Sequence, residues 1–254
     1  MNTATQLAHD SEFTLARQGL PISALEVFNE DVHENDSGRW FADNMNVEIA
    51  TRPVTTLADW HSTTADLIEQ VRNHGEGFDL MFEPVVKYPD QYLTHPLARI
   101  SGCNPDFSAY FMEKNAAPDF AELDGTRSNG AHVHADLHGG DPYWYARWMD
   151  MLIALPFLLH EKPSSRRTLY GKAGCLRVKD YGAEYRTLSN MWINDPAKRE
   201  FVWEMTHKAA ELSRTTDPAQ VDDFHEVPQA IDTHDVELAQ RCIDRLYIYG
   251  VTTL

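Results

Sequence analysis

Five short segments of the 254-residue chain alternate polar and apolar residues with a period of two, and the polar face of each carries acid, histidine or arginine. In DSEFTLA, Asp10, Glu12 and Thr14 share one face and Phe13 and Leu15 the other. NMNVEIAT sets Asn46 and Glu48 against Met45, Val47 and Ile49, and AHVHAD sets His132 and His134 against Val133 and Ala135. CLRVK sets Arg177 and Lys179 against Leu176 and Val178; EYRTLS sets Glu184 and Arg186 against Tyr185 and Thr187. Side chains of a strand point alternately to its two faces, so this pattern describes strands buried on one side only. Strands of that kind assemble antiparallel, with helices covering the apolar face. The expected fold class is therefore α+β, with a polar sheet face that is concave or covered.

Four segments supply the helices. Residues 56–74 bring Leu57, Trp60, Leu67, Ile68 and Val71 to near-helical spacing and stop at Gly75. Residues 141–160 and 195–213 both open on Asp-Pro, an N-cap followed by proline at the first helical position. The fourth, about 233–249, aligns Val236, Ala239, Ile243 and Leu246 in a core-facing stripe. The segment 214–235 is acidic and holds two prolines, which reads as a surface loop or lid. Without a repeat or a linker-like tract, one domain over 1–254 is expected.

A formal net charge of −17 opposes non-specific binding to nucleic acid or to an anionic membrane. The longest apolar run, MLIALPFLL, is too short to span a bilayer and contains Pro156. Cys103, Cys175 and Cys242 are too scattered for a disulfide framework or a CxxC site, and MNTATQLAHD has no leader pattern, so the cytoplasm is the expected location.

Against that acidic background, residues 166–192 gather six of the 22 Lys and Arg residues. A local cation cluster on an acidic chain suits a small polyanion. It is not a Walker A loop, because Lys172 follows Gly171 without the GxxxxGK(S/T) spacing. An exposed basic strand making surface salt bridges accounts for Arg166 and Lys179, but poorly for Arg177 and Arg186 on either side of Glu184. His132 and His134 point the same way from one strand, which suits one metal ion or one phosphate and equally a solvated face. Glu12 and Glu48 would be solvated if alone. Brought together with Glu184 they would repel unless a cation lay between them, and an oxygen-rich set with histidine suits Mg²⁺ or Mn²⁺.

Taken in order, HDSEFTLA, DNMNVEIATRPV, SGCNPDFSAYF, SNGAHVHAD and RRTLYGKAGCLR…YGAEYRTLSNMW resemble the phage-type carboxylate–amine ligases (amidoligases, COOH-NH2 ligase type 2) of the glutamine synthetase-like superfamily, from about residue 9 to 193. The resemblance implies a curved, glutamine synthetase-like antiparallel sheet with helices packed on its outer face. It implies ATP and Mg²⁺ (or Mn²⁺) as cofactors, with Glu12, Glu48, His132 and Glu184 as metal ligands. It assigns His134 to a phosphate, Arg186 to the reacting phosphoryl group and Arg177 to nucleotide phosphate, with Arg167 and Lys172 as further contacts. Two departures stand out. Gly182 interrupts the superfamily's RxExR pattern, so one phosphate contact comes from elsewhere, and Asp10 replaces a longer acid.

The reaction so implied joins a small-molecule carboxylate, an amino acid among the candidates, to an amine-bearing acceptor through an acyl phosphate. Asp106 or a carboxylate of 214–235 would take the proton of the amine. A metal-dependent hydrolase, a kinase of the same broad fold and a ligase fold retained only for binding are the alternatives left open.

Overall fold

In the computed structural model, which describes residues 4–99, 106–116, 123–221 and 225–247, the strand pattern becomes a sheet centred on β1 (Leu7–Arg17). There follow β2 (Leu20–Ile22), α1 (Ala24–Phe28), β3 (Val32–Asn35), β4 (Gly38–Asp43), β5 (Asn46–Thr51) and α2 (Leu57–Asn73). Next come β6 (Asp79–Met81), β7 (Val85–Lys87), β8 (Phe107–Ser108), β9 (Thr126–Ser128) and β10 (Ala131–Asp136). Then α3 (Pro142–Met149), α4 (Leu155–Leu158), α5 (Arg166–Leu169), β11 (Cys175–Lys179) and β12 (Gly182–Tyr185) lead to α6 (Pro196–Leu212), α7 (Glu226–Thr233) and α8 (Val236–Leu246).

The antiparallel order is β3-β4-β5-β1-β10-β12-β11-β8. β1 is eleven residues long and changes partners along its length. Its first part pairs with β5 and β10, and its last residues pair with β2 and β6. Phe13, Val47, Ile49, Val133, Ala135, Leu176 and Tyr185 are all buried on the apolar side. There α2 packs on β4 and β5, α3 on β11 and β12, and α6 on β10 and α2. Fully burying one such aliphatic or phenyl side chain contributes about 1.5–3 kcal/mol, so a one-residue slip, which would turn the whole set to solvent, does not compete. The α+β class read from the alternation is the architecture observed.

The apolar side also holds polar residues. His9, adjacent to Asp10 but facing the helices, bonds Ser11 Oγ at 2.7 Å and Thr64 Oγ1 at 2.8 Å, edge-on to Trp60 and Trp192. Burial pushes its imidazole down to about 3.

Three expectations need correction. Residues 141–160 are not one α-helix: a π-helical segment, Asp150–Ala154, separates α3 from α4. Pro156 lacks an N–H and its ring would strike the carbonyl four residues back, and the wider turn before it relieves that contact. EYRTLS is a strand only as far as Tyr185. Beyond it the carbonyls of Arg186 and Leu188 accept from Arg166 Nη2, and that of Thr187 from Arg167 Nη1, so guanidinium groups supplement the few backbone bonds that remain, such as Ala131 N–H to the Leu188 carbonyl. The stretch 214–235 is not a bare loop, since it includes α7, whose Val227, Pro228, Ala230 and Ile231 are buried. Within α8, Val236 is exposed and Leu238 and Cys242 join the buried face. Cys103 and the first part of SGCNPDFSAYF lie outside the described residues. Among those described, no helix is long and apolar enough to cross a membrane.

Candidate active site

Strand register, which no single segment dictates, brings the polar residues side by side. Glu12 lies opposite Glu48 across β1 and β5, and Asp10 opposite His132 across β1 and β10. Glu184 lies opposite both His134 on β10 and Arg177 on β11. Five separate faces thus become one polar surface spanning β5, β1, β10, β12 and β11.

Two groups on it could each hold a cation. In the first, oxygens of Glu12, Asp43 and Glu48 lie within 4.8 Å of one another. Glu12 is buried, and its Oε2 accepts from the Gly130 N–H at 3.1 Å. A Cβ at residue 130 would fall 2.7 Å from His132 Nε2 and 3.2 Å from Arg166 Nη2, so glycine leaves room for both side chains at this point. Burial, then the neighbouring Asp43, pushes the Glu12 carboxyl up to about 7. Burial and the charges of Asp10, Glu12 and Asp43 hold Glu48 well above the usual carboxylate range, and burial raises Asp43 as well. Crowded carboxyls that resist ionising become strong ligands once a divalent cation offsets their repulsion, and an all-oxygen set fits Mg²⁺ or Mn²⁺.

In the second group, ligand atoms of Asp10, His134 and Glu184 lie within 4.8 Å of one another. His134 Nε2 meets Asp10 Oδ2 at 2.9 Å, and its Nδ1 meets the Tyr181 hydroxyl. Glu184 is buried but ringed by cations: Lys179 Nζ at 2.8 Å, Arg177 Nη1 at 3.5 Å, and Arg186 Nη1. Burial works against ionising Asp10 and Glu184, but His134 in the first case and foremost Arg186 in the second outweigh it, so both titrate below their ordinary range.

Arg186 ties the surface together. Its Nη1 lies 3.2 Å from His132 Nδ1 and its Nε 3.4 Å from Asp106 Oδ2, whose other oxygen accepts from Asn115 at 2.8 Å. With Glu12, Asp43, His132, Arg166 and Asp106 it lines a narrow cavity. An open cleft of ≈ 650 Å³, lined among others by Asp10, His134, Lys179, Tyr181, Arg39 and Arg52, lies beside it.

Of the residues expected at the site, Glu12, Glu48, His132, His134, Arg177, Glu184 and Arg186 converge here. The two histidines keep different company, however. His134, expected at phosphate, shares the second group, whereas His132, expected as a ligand, has the Arg186 guanidinium against its Nδ1. Burial and then Arg186 keep the His132 imidazole neutral far below its usual range. Asp10, the short acid, reaches the second group.

Arg167 and Lys172 do not join them. Arg167 is buried on the carbonyls of Gly171 and Thr187 and on Glu161, and exposed Lys172 lines neither cavity. Asp232, in the segment expected to form a lid, instead accepts from the Ala173 N–H at 2.7 Å. Arg166 and Lys179, read as surface salt-bridge residues, are at the site instead. Arg166 is 2% exposed, with Nη1 2.5 Å from Ser128 Oγ.

Asp43 was missed. It ends β4 beside Asn44, a turn residue at φ 54° whose amide donates to it at 3.2 Å. Asp-Asn reads locally as turn chemistry. Only the hairpin register, with Phe41 opposite Glu48 and Asp43 opposite Asn46, reveals that it shares the face of Glu48.

Residues 127–232 match the family described as phage phiEco32-like COOH.NH2 ligase-type 2, which bears out the resemblance over that part of the chain. No curated protein matches in sequence. Among solved structures, a novel glutamine synthase homolog is similar at 14% identity and a TM-score of 0.40, over 98% of this chain and 66% of its own. A bifunctional glutathione synthetase from Pasteurella multocida is similar at 10% identity and a TM-score of 0.37, over 98% of this chain and 50% of its own. The chain thus spans just under two thirds of the one and half of the other.

Proposed function

We propose that this chain is an ATP-dependent carboxylate–amine ligase that forms an amide bond through an acyl phosphate, with Mg²⁺ or Mn²⁺ held by the two acid groups. One observation carries the reading: two cation-ready groups, Glu12–Asp43–Glu48 and Asp10–His134–Glu184, share a sheet face with Arg177 and Arg186. The match of residues 127–232 to a ligase family supports it independently.

Phosphoryl transfer to a carboxylate brings two anions together, so its barrier is mainly electrostatic. Divalent cations, when bound, would supply charge neutralisation at the phosphate oxygens. Arg186 is fixed by Glu184 and Asp106 and faces the narrow cavity, where its guanidinium would stabilise charge developing on the transferring group. Arg177 would hold a phosphate at the other side of Glu184. In the first step a carboxylate oxygen attacks the γ-phosphorus and ADP leaves. In the second an amine attacks the acyl carbon, inorganic phosphate leaves, and a base accepts the proton of the amine. Asp106 lines the cavity and is the carboxylate assigned that proton.

The test is ADP release by the purified protein with Mg·ATP and mixed pools of amino acids and amines, followed by mass spectrometry of the products. A ligase gives ADP only with both carboxylate and amine, with a product lighter than their sum by one water. Hydroxylamine in place of the amine, added with the carboxylate and Mg·ATP, should trap the acyl phosphate as a hydroxamate with release of phosphate. Turnover without ATP would assign a hydrolase, and ADP release independent of amine a kinase.

A further inference from the structure

Gly182 interrupts the RxExR pattern for a steric reason. It lies at φ +151°, and a Cβ there would fall 2.2 Å from the carbonyl oxygen of Ala135, where β12 runs against β10. No side chain fits, so a cation cannot come from this position. Directly across the β11–β12 ladder stands Lys179. Its ammonium lies 2.8 Å from Glu184 Oε2, and its side chain is 33% exposed where that of Glu184 is 2%. It also lines the ≈ 650 Å³ cleft together with Arg39, Arg52 and Tyr181.

We infer that Lys179 is a polyphosphate-binding residue of this cleft, supplying from the neighbouring strand the cation that Gly182 cannot carry, and that Glu184 holds its ammonium until the ligand arrives. The inference rests on the proposed ligase reading only in taking the polyphosphate to be that of a nucleotide. Three observations lead to it. First, the cleft mixes three cations with Asp10, Glu34 and Asp136, so a bare anion meets repulsion as well as attraction. A polyphosphate arriving with a divalent cation satisfies both signs. Second, Glu184 also has Arg177 and Arg186, so it keeps counter-charges when the ammonium moves. Third, the carboxylate that Lys179 holds is the one grouped with Asp10 and His134, the residues that could take the accompanying cation. Lysine suits such a transfer: its ammonium is a point charge on a flexible four-carbon stem.

The experiment compares the full chain with Lys179→Met and Lys179→Arg, using inorganic triphosphate in saturating Mn²⁺ by calorimetry and Mn²⁺ alone by electron paramagnetic resonance. Lys179→Met should weaken triphosphate roughly 10- to 100-fold, the size of one charge-assisted hydrogen bond. The same variant should bind Mn²⁺ as well as or better than the parent, since the competing ammonium is gone. Lys179→Arg should restore most of the triphosphate affinity. Unchanged triphosphate binding by Lys179→Met overturns the inference. So does a parallel loss of Mn²⁺ binding, which would make Lys179 a mere support for Glu184, and so does a parent protein that holds Mn²⁺ but no triphosphate. ATP run alongside separates the two readings: Lys179-dependent binding of triphosphate without binding of ATP leaves this inference standing and removes the nucleotide from the proposed function.

Discussion

Asp10 and Glu12 are two residues apart on one face of β1, yet their surroundings treat a negative charge in opposite ways. Glu12 is grouped with two further carboxyls, Asp43 and Glu48, and burial with mutual repulsion outweighs the Gly130 N–H and the nearby arginines and resists ionisation. Around Asp10 and Glu184 the chain has assembled its own counter-charges, and both acids ionise below their usual range despite burial. The two groups would therefore bind a cation differently. The Glu12 group must shed protons to become a ligand set, so its affinity should climb steeply with pH. The Asp10 group is ionised already and must give up an internal ion pair instead. Similar donor atoms thus make one site governed by protons and another governed by displacement.

The comparison is most exposed at Arg186, which touches Glu184 and His132 and contributes charge to the Glu12 group. Arg186→Met should lower ligase turnover by roughly 10²–10³-fold, the usual cost of one preorganised contact to a developing charge. Steady-state ADP release on a variant shown folded by its melting curve checks this, and near-parental turnover would strip Arg186 of its role.

Next in size is metal affinity. Glu12→Gln and Asp10→Asn should each weaken Mn²⁺ binding by about 10–100-fold or more, since even outer contacts to a metal ligand cost that much. Paramagnetic resonance titration should lose one class of site in each variant. Loss of both classes from a single substitution would mean one shared site and end the distinction drawn above.

The pH response is smaller and has a definite sign. A carboxyl whose folded pKa is raised contributes stability at low pH that is lost as pH climbs through the folded value. For Glu12 that window runs from the ordinary 4.5 to about 7. The metal-free parent should thus lose more melting temperature across it than Glu12→Gln, and Mn²⁺ should abolish the difference. Asp10 has the opposite sign, since its folded value lies below the ordinary 3.8. Its contribution is present above 3.8 and disappears as pH falls through the folded value, so Asp10→Asn should flatten the acid limb. Matching responses in the two variants would contradict the assigned environments.

Lys172→Ala should have the smallest effect, none on turnover or on triphosphate binding, because that side chain is exposed and lines neither cavity. A marked loss would extend the site beyond the sheet face.

Much of this was legible in the chain. Alternation in DSEFTLA, NMNVEIAT and AHVHAD correctly separates buried from polar faces, whereas in CLRVK Leu176 is buried but Val178 is exposed, and Asp141 and Asp195 cap their helices as the Asp-Pro signals lead one to expect. The strands β3 and β6 to β9 carry too few residues for a periodicity, and in six-residue β4 the aromatic Phe41 on the face of Glu48 breaks the alternation, so with β4 went Asp43. Arg166 and Lys179 illustrate a second limit. Each is a cation in a polar stretch, and whether it meets solvent or a protein partner depends on how the chain pairs, with Ser128 and Leu188 reaching the one from other segments and Glu184 facing the other across the β11–β12 hairpin.

What the order of residues determines alone is direction: a period of two sends each side chain to one face or the other, because successive Cβ atoms of a strand must alternate. Company is settled only when the strands pair. Glu12 becomes resistant to ionisation because β4 and β5 bring it Asp43 and Glu48, and Asp10 ionises readily because β10 brings it His134. Local sterics act through bonds and are written in neighbouring letters, whereas Coulomb and desolvation energies act through space and exist only once distant strands share a surface.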